Sequence, residues 1–104
     1  MLHFDRESTD PKAEINVGDS IEVRLPENPT TGYRWNVAPN YVGTIVLNLD
    51  TFQIQDQVSL GGGGTRIWQF TATKPGTIEL KFVNKRSWEN KHVDEFAVSV
   101  RVRA

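Results

Sequence analysis

Side chains able to do covalent or metal chemistry are sparse in these 104 residues, and none is arranged to do it. There is no cysteine, so no thiol nucleophile and no disulfide. Ser8, Ser20, Ser59, Ser87 and Ser99 have no recognisable base partner. His3 and His92 lie far apart, and neither stands at a metal-ligand spacing from Asp or Glu. No catalytic residue, metal site or cofactor is expected, and the chain does not read as an enzyme. What remains is the chemistry of recognition, concentrated in three patches. These are Asn28-Pro29-Thr30-Thr31-Gly32-Tyr33, the run Gly61-Gly62-Gly63-Gly64, and Arg86-Ser87-Trp88.

Each patch has a plain reading and a sharper one. In the first, Pro29 fixes φ, Asn28 can bond its own backbone two residues on, and Gly32 permits a sharp exit. That describes an ordinary turn, or a stiff tip presenting Thr30 and Thr31. The four glycines are loop slack, or a bare backbone that another chain can approach closely. They are not a phosphate loop, because no Lys-Ser/Thr follows and Thr65-Arg66-Ile67-Trp68 opens a strand. Trp88 stands in a polar stretch, with Arg86 and Asn90 two residues away where Trp68 has Phe70. An exposed tryptophan beside an arginine is interface chemistry; a buried one would be core.

The elements that must carry these patches are strands. Ile21, Val23 and Leu25 alternate with Glu22 and Arg24. Pro26 is expected to end that strand. Tyr33, Trp35 and Val37 share one face of the next. Ile45, Leu47 and Leu49 share a face of an extended Thr44–Ile54, with a bend expected near Asp50. Trp68 and Phe70 point together. Pro75-Gly76 fits the centre of a type II turn. Ile78, Leu80 and Phe82 follow, then Phe96, Val98, Val100 and Val102. Residues 1–12 read as a loose lead-in, with a short first strand over Ala13–Val17. Seven or eight short strands without helical periodicity predict an all-β fold: one antiparallel sandwich over residues 1–104, with a barrel as the alternative. In an antiparallel chain every second connection falls at the same end. The three patches are therefore expected side by side.

A net charge of −1 argues against nucleic acid. No apolar run suits a membrane span, and the start lacks the apolar core of a secretion signal. The expectation is a monomer, either cytoplasmic or a processed periplasmic, lysosomal or secreted form.

In order and spacing, the three patches resemble the loops of chagasin-type inhibitors of papain-family cysteine proteases. Those loops are marked Asn-Pro-Thr-Thr-Gly, Gly-x-Gly-Gly and Arg-Pro-Trp. The first two match in full; in the third, Ser87 stands where the family has proline. The resemblance implies an immunoglobulin-like β-sandwich and a reversible, non-covalent wedge against cathepsin-like enzymes. Asn28–Tyr33 would enter the active-site cleft, Gly61–Gly64 would pair with enzyme backbone, and Arg86–Trp88 would lie on the primed side. The competing reading is an immunoglobulin-like adhesion or glycan- or peptide-binding module that displays Tyr33, Trp35, Trp68 and Trp88.

Overall fold

A computed structural model describes residues 1–54 and 63–104. Among them are eight strands: β1 (Leu2–Asp5), β2 (Lys12–Asn16), β3 (Ser20–Glu27), β4 (Tyr33–Val37), β5 (Ile45–Ile54), β6 (Gly64–Ala72), β7 (Gly76–Arg86) and β8 (His92–Arg103). They form two four-stranded sheets, ordered β1-β3-β6-β5 and β2-β8-β7-β4. The alternation in the sequence decides which side of each strand turns inward. Ile21, Val23 and Leu25 of β3, Trp68 and Phe70 of β6, Leu80 and Phe82 of β7, and Val98 and Val100 of β8 are buried in one core. Rings cross between the sheets, with the Trp68 and Phe82 centroids 4.6 Å apart. This is the expected immunoglobulin-like β-sandwich.

Several local expectations are corrected. The lead-in is not loose: β1 pairs in parallel with β3, and β2 in parallel with β8, so the sandwich is antiparallel except at these two pairs. Arg6 Nη2 also reaches both carboxylate oxygens of Asp94, at 2.7 and 2.8 Å. Pro26 does not end β3, which runs on to Glu27. Because β1 stops opposite Arg24, proline falls where β3 has lost that neighbour and needs no N–H on that side. Leu49 does not share a face with Ile45 and Leu47. A register shift at Asn48 reverses the phase and leaves Leu49 exposed. Gly76 is not the centre of a type II turn: at φ 157° it opens β7, paired with Val102.

At one carboxylate on the outer face of β3, burial and hydrogen bonding oppose each other. The Glu22 side chain is only 4% exposed. It accepts hydrogen bonds from His3 Nδ1 at 2.8 Å, Arg24 Nε at 2.8 Å and Gln69 Nε2 at 2.9 Å. Burial alone would raise its pKa. The three donors and the Arg24 charge outweigh it and hold the pKa at about 2, against an ordinary 4.5. The folded value lies below the unfolded one, so the stabilisation is complete above pH 4.5 and is lost as the pH falls towards 2. The loss amounts to roughly 3 kcal/mol. Thermal midpoints of the parent and of Glu22→Gln should therefore converge across this window. Parallel midpoint curves from pH 5 to 2 would contradict the assignment.

Candidate functional site

The first patch forms a single turn of 3-10 helix, Pro29–Thr31, between β3 and β4. Asn28 organises it. Its Oδ1 accepts from the Thr30 backbone N–H at 3.1 Å and from the Thr30 hydroxyl at 2.6 Å. Its carbonyl accepts from Thr31 N–H at 3.2 Å and from the Thr31 hydroxyl at 2.8 Å. Both hydroxyl protons thus serve to stiffen the tip. Gly32, at φ +81°, supplies the left-handed turn into Tyr33.

The third patch is a tight turn between β7 and β8, closed by Glu89 N–H to the Arg86 carbonyl at 3.1 Å. Arg86 joins it to the first. Its guanidinium lies over the Tyr33 ring at 4.3 Å and the Trp88 ring at 5.7 Å. Its Nε donates to the Thr31 carbonyl at 3.2 Å, and its Nη1 pairs with Glu89 at 3.3 Å. Trp88 is 70% exposed, yet its ring lies against Gly32. A Cβ built on Gly32 would meet the Trp88 ring at 2.8 Å. The stiffness that proline would lend at position 87 is supplied here by these contacts around Ser87.

The glycine run leads into β6. Gly61 and Gly62 lie outside the described residues. Gly64 pairs with Glu27 on one side and Ile54 on the other, which sets Gly63–Gly64 beside the first turn. The register Tyr33↔Arg86 sets the third beside it too. Strand parity thus holds: Asn28–Tyr33, Gly63–Gly64 and Arg86–Trp88 share one end. The aromatic platform of the adhesion-module reading does not form, because Trp35 and Trp68 are core residues at 5% and 1% exposure.

Sequence reasoning missed two residues beneath this end, Glu27 and Arg66. The Glu27 side chain is fully buried and that of Arg66 is 13% exposed. Arg66 Nη2 donates to Glu27 Oε1 at 2.7 Å, and Nε donates to the same oxygen at 3.2 Å. Glu27 Oε2 accepts the backbone N–H of Trp35 at 2.8 Å. The hydrogen bonds to Glu27 raise the Arg66 pKa above the ordinary guanidinium value despite burial. The signal was present in the sequence: Glu27 falls in phase with Ile21, Val23 and Leu25, and Arg66 with Trp68 and Phe70. A charge in a core phase demands a partner.

Residues 14–100 match the family described as Chagasin family peptidase inhibitor I42. Chagasin from Trypanosoma cruzi is 30% identical over 96 residues, covering 86% of each chain. The crystal structure of the cysteine protease inhibitor EhICP2 from Entamoeba histolytica has a TM-score of 0.84 at 27% identity, covering 98% of this chain and 95% of that one. PbICP-C, in complex with falcipain-2, has a TM-score of 0.73 over 99% of this chain and 100% of its own; at 15% identity the likeness is one of fold. With Asn28–Tyr33, Gly63–Gly64 and Arg86–Trp88 at one end of the sandwich and the match running through most of its length, the chain belongs to the chagasin family of peptidase inhibitors.

Proposed function

We propose that the loop end is a preformed wedge that closes the active site of papain-like cysteine proteases, reversibly and without being cleaved. As a member of an inhibitor family the chain needs no reactive group of its own. Asn28–Tyr33 enters the cleft, Gly61–Gly63 runs along the non-primed side, and Arg86–Trp88 lies on the primed side; Gly64, expected in the same strip, is buried and paired on both sides, so it serves the sheet and not the enzyme. The observation that carries this reading is the mutual locking of the first and third loops through Arg86, Thr31, Gly32 and Trp88. Surfaces already held in shape lose little entropy on docking. A protease–inhibitor interface of standard size, roughly 1,600 Å² in total, can then be very tight.

The thiolate–histidinium pair of such an enzyme favours N–H and O–H donors. Because the Thr30 and Thr31 hydroxyl protons are engaged with Asn28, the tip acts first through its shape. Titrating active-site-counted papain with the purified chain should abolish activity at one equivalent, with intact inhibitor recovered on dissociation. Papain whose cysteine carries a bulky alkyl group should bind much more weakly. Equal affinity for the alkylated enzyme would place the contact outside the cleft and refute the wedge.

A further inference from the structure

Below the loops lies the buried Glu27–Arg66 pair. Loop one emerges from β3 and β4, and the glycine loop from β5 and β6. One polar cluster bonds all four of these strands. Glu27 sits on β3 directly before Asn28, and its carboxylate holds the Trp35 N–H of β4. Arg66 of β6 grips Glu27 with two nitrogens. Its third nitrogen reaches Asp50 of β5 at 3.3 Å, and its guanidinium lies over the Phe52 ring at 5.7 Å. The tie also crosses from one sheet to the other, since β4 is the edge of the sheet opposite β3.

We infer that the buried Glu27–Arg66 pair is a positioning device that fixes loop one relative to the glycine loop, so that both meet a protease in register. This builds on the wedge reading above. The physical reason lies in what such a pair does well. Desolvation offsets most of the attraction between two buried charges, so an apolar replacement of both is often as stable. Apolar contacts, however, do not prescribe direction. A guanidinium that sets two N–H donors on Oε1 while the Trp35 N–H holds Oε2 does, because its planar, rigidly spaced donors fix the direction of approach. The pair thus contributes to placement more than to folding. A site of this kind works only if its parts are held within about 0.5 Å of the productive geometry.

The deciding variant removes both charges and keeps the Trp35 bond: Glu27→Gln with Arg66→Met. Its thermal midpoint should stay within about 5 °C of the parent. Papain inhibition should weaken at least about tenfold through faster dissociation. Amide exchange should quicken at Thr31, Gly63 and Gly64 but not at Leu80 or Val98. Parent-like inhibition together with parent-like loop exchange would overturn the inference. If the double variant does not fold, Arg66→Lys retains the charge and loses only the fork. It is then judged by the same two readouts and the same criterion. Should the parent itself fail to inhibit papain, the wedge reading falls, and the exchange pattern alone still decides the role of the pair.

Discussion

Gly64→Ala should lower the thermal midpoint by roughly 10–20 °C, whereas Gly63→Val, one residue away, should leave it unchanged. A Cβ on Gly64 would overlap the Gln53 carbonyl oxygen and stand 2.6 Å from the Phe52 ring and 3.0 Å from the Gln53 carbonyl carbon. Two of these three atoms are backbone of the adjacent strand. Gly64 is also paired on both sides, with Glu27 and Ile54, so it cannot retreat without opening a ladder. The cost of forcing it is on the order of 3 kcal/mol. Around Gly63 a Cβ meets nothing within 4 Å. There a bulky side chain would instead hold an enzyme strand away and remove backbone hydrogen bonds of about 0.5–1.5 kcal/mol each. The two variants separate a glycine needed by the fold from a glycine needed by the partner. The readout is the midpoint and the papain inhibition constant of each. If Gly63→Val inhibits like the parent, the glycine loop is slack and does not pair with the enzyme.

That contrast shows how far the sequence carries. The run of glycines reads in the sequence either as loop slack or as a place of close approach. Which glycine is approached by its own sheet depended on the register of β5 against β6, and no local pattern states a register. The same limit explains Leu49. Period-2 alternation assigns it to the Ile45 face, and a single bulged residue at Asn48 sends it to the other. The N-terminal strand was illegible for a different reason. Leu2–Asp5 alternates Leu2 and Phe4 with polar residues, but over four residues that is too short a pattern to name a strand; parallel pairing with β3, the packing of Phe4 on the core and the His3–Glu22 and Arg6–Asp94 contacts hold it. Long core strands such as β8, with four alternating apolar residues, could be read directly. So could the gathering of the loops, because strand parity depends on the number of strands between them and not on their exact ends. Glu27 is hidden in the sequence because Pro26 reads as a stop, although the core phase continues through it.

Trp88→Ala should weaken papain inhibition by about 30-fold or more, a loss of at least ~2 kcal/mol, while the midpoint scarcely moves. Composition alone leaves Trp88 open to two readings. A core tryptophan would cost roughly 3–5 kcal/mol of stability when truncated. At 70% exposure the ring has little burial to lose. Among the described residues its ring lies edge-on against Gly32 and faces Arg86, contacts together worth about 1 kcal/mol at a solvated site. Those contacts matter in another way: they hold a large apolar surface in one orientation before the enzyme arrives. The entropy of fixing the ring is therefore mostly lost on folding and not on docking. An exposed tryptophan clamped in this manner is better suited to anchor a partner than a free one. Gly32→Ala supplies the complementary case. Its new methyl would push the ring off its seat, so inhibition should fall although Trp88 is still present; strain at φ +81° adds a drop in midpoint. A Trp88→Ala protein that loses its midpoint but inhibits normally when folded would remove the third loop from the wedge.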